Sequence, residues 1–440
     1  MDNVGVGRLI PLGIQHVLAF YAGAVLVPLI VGPAIGLHSA QVGYLISLDL
    51  FTCGIATLIQ VVGTNFIGIK LPVMLGCTFT AVAPMMLIGK IDGITAIYGS
   101  IIVSGLVVMV LAQFMGTLVR LFPAVVRGSV VTIIGLSLLP VALNNAGGGL
   151  GAPGYGNPQN LGLALLTLVL VILINRFFKG TLQALAVLIS IIAGTIIGWL
   201  MGLTNFSAVT GASWFRLVTP FHFGPPKFDL SAILTMTLVG IVSMIESTGV
   251  YFALGEIVNR QITSADIRRG LRAEGLAAIL GAVMNSFPYT TFSQNVGLVA
   301  LTKVKTRNVI VTAGVVLVIL GFFPKVAGFT LSIPTSVLGG AMVAMFGMVV
   351  ASGIRMLKQV DFSENKNLLL VAIALGTGVG VSVVPQLFAH LSSDASMFLE
   401  DGIVVGSIVA VVTNLLFNGL DVKRDDEQQM AELAVGPGGI

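Results

Sequence analysis

The chain has 440 residues, of which 56% are hydrophobic and only 9% charged. A soluble domain carries charge on about a quarter of its residues, so this composition excludes a soluble globular protein and indicates a polytopic membrane protein. The formal net charge of +4 comes from basic residues scattered through short loops, a pattern that gives nucleic acid nothing to bind.

Residues 1–7 read as a short lead-in and not a cleavable signal, because the apolar run after Arg8 is long enough to span. Runs of about 17–25 apolar residues mark the candidate spans. They fall at about 11–31, 39–62, 71–89, 95–117, 124–143, 159–176 and 181–201. After a polar stretch near 202–227 they resume at 228–254, 271–285, 287–302, 307–327, 333–352, 367–385 and 399–419. Fourteen spans place both termini on one side of the membrane. Eighteen of the 22 Lys and Arg residues then lie on that side and four on the other, which assigns the termini to the cytoplasm. The polar stretch 421–430, DVKRDDEQQM, opens a cytoplasmic tail spanning 420–440. Cys53 and Cys77 sit inside apolar runs and read as packing residues, with no disulfide or metal framework implied.

Fourteen spans divide into two sevens, and an odd number per half makes any structural repeat inverted. Pro123-x-x-Val126-x-Gly128 opens the fifth span and Pro334-x-x-Val337-x-Gly339 the twelfth. Asp49 in the second span is answered by Glu274 in the ninth. The third span of each half is interrupted. LPVMLGCTFTAVAPMMLIG (71–89) carries Pro72, Gly76 and Pro84, and SFPYTTFSQNVGLVALTK (286–303) carries Pro288 and Gly297. Irregular backbone at membrane depth survives only where protein buries it or a cavity adjoins it, so paired breaks at matching positions point to a binding site.

Asp49, Glu246 and Glu274 are the intramembrane carboxylates. Each is costly in hydrocarbon, by about 2.5 kcal/mol or more, and such groups mark ion or substrate paths. Glu246 is followed by Ser247, Thr248 and Gly249, a polar wall. Glu274 lies near Arg268, Arg269 and Arg272, where an ion pair at the membrane surface competes with a functional role. Asp49 and Glu274 are placed to brace the two broken segments by accepting their free backbone N–H groups. Gln15-His16 is the polar spot on the first span, and its histidine reads as a packing hydrogen bond in preference to a proton relay. Gly376-x-Gly378-x-Gly380 lacks the strand–turn–helix setting of a phosphate loop and reads as close helix packing. No nucleophile–base constellation or metal-ligand spacing occurs, which argues against an enzyme.

Gln294-Asn295-x-Gly297, four residues and then Thr302-Lys303 resembles the signature of the nucleobase–ascorbate transporters, also called nucleobase:cation symporter-2, at every specified position. Gln15-His16 is similar to that family's first-span pair, and Glu246 falls on its eighth-span carboxylate. GCTFTAV (76–82) resembles its third-span motif, with Phe79 at the aromatic place. The resemblance covers nearly the whole chain.

It implies an all-α membrane protein of seven plus seven inverted spans, with spans 3 and 10 each a short strand plus a half-helix. A core domain (8–117 and 228–327) would move against a gate domain (124–201 and 333–419), and the protein would be a homodimer in lipid. Glu246 and Gln294 would hydrogen-bond a purine, Phe79 would meet its ring, and backbone near Phe79 and Ser293 would assist. Asn295 would shape the site, with His16, Glu274, Asp49 and Gln15 supporting it. Val250 stands where several members carry Asp or His, which concentrates coupling on Glu246. The implied activity is xanthine:proton symport by alternating access in a bacterial inner membrane. A urate permease is the alternative, and an anion exchanger or channel on the same fold the alternative of another class. No cofactor is implied, and the coupling ion is a proton in preference to sodium.

Overall fold

The computed structural model describes residues 5–419 apart from Glu364 and Ala389. The expected cytoplasmic tail, 420–440, lies outside the described residues.

The first half contains α1 (Val6–Ala24), α2 (Leu26–Ala34), α3 (Ser39–Val62), β1 (Leu75–Cys77), α4 (Val82–Ile91), α5 (Ile94–Leu111) and α6 (Met115–Leu121). It continues with α7 (Ala124–Ala146), α8 (Pro158–Phe177), α9 (Thr181–Ala184) and α10 (Ala186–Leu200). A linker with one short helix, α11 (Ser207–Gly211), leads to α12 (Leu230–Val258), α13 (Ser264–Val283), β2 (Tyr289–Thr291) and α14 (Ser293–Thr302). The chain closes with α15 (Arg307–Gly321), α16 (Pro324–Leu331), α17 (Thr335–Leu357), α18 (Asn365–Val383), α19 (Ser393–Leu399) and α20 (Gly402–Asn418).

Among the described residues, 8 helices are long and apolar enough to cross a membrane, with α1 and α2 forming one of them. The other expected spans fall on shorter helices, on α13 with its charged first turns, or on strand–helix pairs. Span ends are set by local chemistry. Asp229 caps α12 through the Ala232 N–H at 2.9 Å, and Thr306 accepts from the Asn308 N–H ahead of α15. The helix that carries the ninth span begins ahead of the apolar run, because Thr263 and Asp266 form a reciprocal capping box. The eleventh span is not the single helix expected over 307–327. Pro324 starts a new helix, and α15 and α16 meet at 83°.

Two groups of helices emerge from the packing. In one, α3 lies along α15, α5 against α12 and α13, and α1 against α15. In the other, α7 lies along α17, α17 against α8, and α18 against α20 and α7. Close approach relies on small residues: a Cβ on Gly54 would sit 2.6 Å from the Gly314 carbonyl oxygen, so α3 and α15 could not meet as they do. The linker straps the first group across one end. Arg216 stacks over Tyr44 at 3.9 Å, Lys227 pairs with Asp92 at 2.7 Å, and the Asn285 side chain accepts from the His222 N–H.

At the centre, β1 and β2 cross as an antiparallel pair, with Leu75 opposite Thr291, Gly76 opposite Thr290 and Cys77 opposite Tyr289. The Phe292 N–H donates to the Met74 carbonyl at 2.9 Å and the Thr78 N–H to Pro288 at 3.0 Å. These bonds satisfy backbone that the helix breaks would otherwise leave exposed to hydrocarbon. Gly76 is required here, since a Cβ would meet the Phe20 ring at 2.6 Å and the Phe292 ring at 2.8 Å.

Candidate functional site

The two half-helices begin where the strands end. β1 runs into a 3-10 turn, Phe79–Ala81, and then α4, while β2 runs into α14. Between these starts lies a small cleft. Phe79, Glu246, Ser293 and Gln294 all line it, together with Thr80, Thr290 and Thr291. Four residues named from the sequence, drawn from three separated segments, therefore share one cavity. The opposite wall is formed by Val131 and Ile134 of α7 and Val349 of α17.

Glu246 comes from the middle of α12 and accepts no hydrogen bond from any described residue. Half-buried and lining the cleft, its carboxylate is placed to accept from a ligand donor. Its neighbour Ser247 turns to the strands instead: its hydroxyl lies 3.0 Å from that of Thr290 and accepts from the Thr291 N–H at 3.2 Å. The start of α14 is open, for Phe292 occupies the cap position and no side chain closes it. Such a helix end presents N–H groups and positive dipole to a carbonyl or anion. Phe79 is fixed edge-on against Phe346 of α17, with ring centroids 5.5 Å apart.

The supporting residues sit behind this layer. Asn295 is fully buried and faces away from the cleft, about 100° round α14 from Gln294. Its amide donates to the His16 carbonyl at 3.1 Å and the Met74 sulfur at 3.0 Å, and lies 3.1 Å from His16 Nδ1. It thereby joins α1, the approach to β1 and α14, and the histidine is engaged in packing. Gln15 points elsewhere, donating to the Thr181 hydroxyl at 2.8 Å. Gly297 lies on the exposed face one turn beyond Ser293, whereas Thr302 bonds back to Leu298 and Lys303 ends the helix in a left-handed conformation.

The expectation that Asp49 and Glu274 accept backbone N–H groups needs correction. Asp49 accepts from the Ser286 hydroxyl at 2.9 Å and from Cys77 at 2.7 Å and Cys53 at 3.6 Å. Glu274 accepts from the Tyr251 hydroxyl at 2.5 Å and from Thr291 at 2.6 Å. The strand amides already have strand, Thr57 or Ser247 partners, so side-chain donors are what remain. The thiols likewise do more than pack. Nor does Glu274 pair with the nearby arginines: it is buried, and Arg269 and Arg260 pair with Asp266. Sequence reasoning named Ser247 as polar wall but missed its partners Thr290 and Thr291, and it missed the aliphatic wall. Hydroxyls and valines are common in any span, and only the strand pairing selects these.

Comparison with known proteins identifies the family. The model of the Permease family matches residues 7–387. The chain is 53% identical to the xanthine permease of Bacillus subtilis, over 98% of both chains. It is 52% identical to the uric acid permease PucK of the same organism, over 94% of this chain and 98% of that one. The transmembrane domain of a cyanobacterium bicarbonate transporter, BicA, superposes with a TM-score of 0.59 at 14% identity, covering 92% of this chain and 98% of that one. The murine anion transporter Slc26a9 gives 0.60 at 15% identity, covering 94% of this chain and 69% of that one. These two likenesses show a shared fold. The chain belongs to the Permease family, the nucleobase:cation symporter-2 transporters.

Proposed function

We propose that the protein carries a purine-2,6-dione, xanthine or urate, across the membrane in symport with a proton. It is a transporter, not an enzyme. The observation that carries the reading is the convergence of Glu246, Gln294 and Phe79 on one cleft at the crossing of the broken spans. A purine dione alternates N–H donors and carbonyl acceptors around a flat ring. A carboxylate accepts from the N–H groups, a carboxamide both donates and accepts, and an aromatic ring covers the face. The uncapped start of α14 adds N–H groups for a carbonyl.

Transport follows by alternating access. The group built on α1, α3, α5, α12, α13 and α15 acts as the core, and the group built on α7, α8, α10, α17, α18 and α20 as the gate. The substrate lies between them. Glu246 carries the proton, since it is the cleft's carboxylate and has no hydrogen-bond partner among the described residues. A dimer in a bacterial inner membrane with both termini cytoplasmic completes the proposal. The charge asymmetry of the loops supports the placement of the termini. An anion exchanger shares the fold, but no Lys or Arg is among the described residues lining the cleft to hold an inorganic anion.

The test is uptake of radiolabelled xanthine, competed by urate, guanine, hypoxanthine and uracil. Saturable uptake inhibited by purine diones is expected. Uracil outcompeting xanthine, or ion conductance without saturable uptake, would sink the reading.

A further inference from the structure

The two walls of the cleft differ in chemistry. The wall built from α12 and the broken spans offers a carboxylate, a carboxamide and several hydroxyls. The facing wall offers three side chains, Val131, Ile134 and Val349, and all three are aliphatic. Val131 and Ile134 stand one turn apart on α7, so they present one continuous surface. In this conformation the wall also meets the ring that would cover a substrate, because Phe346 on α17 packs edge-on against Phe79.

A flat heterocycle that spends its polar edge on Glu246 and Gln294 turns its opposite edge to this surface. We propose that the aliphatic wall makes the protein selective for xanthine over urate, with Val131, Ile134 and Val349 as specificity-determining residues. The proposal rests on the purine reading above and goes beyond it by choosing between the two purines.

The chemistry is simple. Urate differs from xanthine by a carbonyl at C8 and an additional N–H on the imidazole ring, at the end remote from the dione. Against three aliphatic side chains those groups lose water and gain no partner. An unpaired desolvated carbonyl or N–H costs enough to lower affinity by about tenfold or more. Xanthine presents a C–H at the same place, which the wall accommodates. Urate is a monoanion near neutral pH, and the three residues supply no counter-charge. Arg127 lines an adjoining cleft with Val131 and Glu246 and is not among the residues lining this one.

The experiment measures uptake efficiency for radiolabelled xanthine and urate separately, in cells without other purine permeases, with protein level in the membrane quantified by immunoblot. The unaltered protein is expected to favour xanthine by about tenfold or more. Val131→Thr and Val349→Thr keep the side-chain shape and add a hydroxyl. Each is expected to raise the urate-to-xanthine ratio several-fold, mainly through KM, whereas Val131→Ala, which adds space and no partner, is not. Equal or better uptake of urate by the unaltered protein overturns the proposal. So does a ratio that both threonine variants leave unchanged at normal membrane level, or that alanine raises as much as threonine. Absence of uptake for both purines by protein present in the membrane overturns the purine reading itself.

Discussion

The two broken spans occupy matching places in the two halves, yet they are finished differently. The first is closed: Thr78 at the end of β1 accepts from the Thr80 N–H at 3.2 Å, and the turn that follows presents the Phe79 ring. The second is open: Phe292 cannot cap α14, and the residues that follow are Ser293 and Gln294. One break therefore supplies an apolar face and the other a set of polar groups and free N–H donors. A flat, polar-edged ligand needs one surface of each kind. The difference teaches that a repeated backbone device acquires a binding site when its copies diverge in capping and side-chain chemistry.

Removing the polar element nearest the open break should have the largest effect. Glu246→Ala is expected to lower xanthine uptake by about a hundredfold, as loss of a charge-assisted hydrogen-bonded group does. Glu246→Gln should keep some binding but lose accumulation driven by an inward proton gradient. Full pH-driven accumulation in that variant would remove Glu246 from coupling. Gln294→Ala comes next, with about a tenfold loss carried by KM. An unchanged KM would show that the open break does not read the substrate and would collapse the contrast between the two spans.

Much of this was legible before any coordinates. The breaks at Pro72–Pro84 and Pro288–Gly297, the three carboxylates and the Gln294-Asn295 motif all follow from residues that hydrocarbon does not tolerate without a reason. The other side of the site was not legible. Val131, Ile134 and Val349 look like any lipid-facing or core valine in a sequence, because within a membrane an apolar residue is compatible with every environment. The bend between α15 and α16 was missed for a related reason: the apolar run continues through Phe322 and Phe323, and only Pro324 hinted at the break.

The braces behind the breaks sharpen the comparison further. Asp49 reaches both halves, accepting from Cys77 beside β1 and from Ser286 ahead of β2, and its second carboxylate oxygen has no partner. Glu274 serves the second break alone, through Thr291 and Tyr251. Asp49→Ala should then cost about 2–3 kcal/mol, since it leaves a buried hydroxyl and thiol unpaired and opens a cavity. The readout is thermal unfolding of purified protein in detergent. Glu274→Gln retains an acceptor and should cost less, about 1 kcal/mol. Equal losses would mean that the two halves are braced alike.

The smallest expected effect lies outside the membrane-spanning part of the second half, where Asp266 closes the start of α13. It accepts from the Thr263 N–H at 3.1 Å and hydroxyl at 2.8 Å, from Arg260 at 2.7 Å and from Arg269. Burial alone would raise its carboxyl, but the Thr263 bonds and the two guanidinium groups outweigh this and hold it below the ordinary carboxylate value. A carboxyl depressed in the folded state stabilises above the unfolded-state value, and that stabilisation is lost as pH falls through the folded value. Asp266→Asn should therefore lower stability by about 1 kcal/mol at neutral pH, the scale of a helix cap with partly exposed ion pairs. The gap between variant and parent should close on acidification below the carboxylate range. The same gap at neutral and acid pH would show that the capping geometry alone, and not the charge, holds this turn beneath the open break.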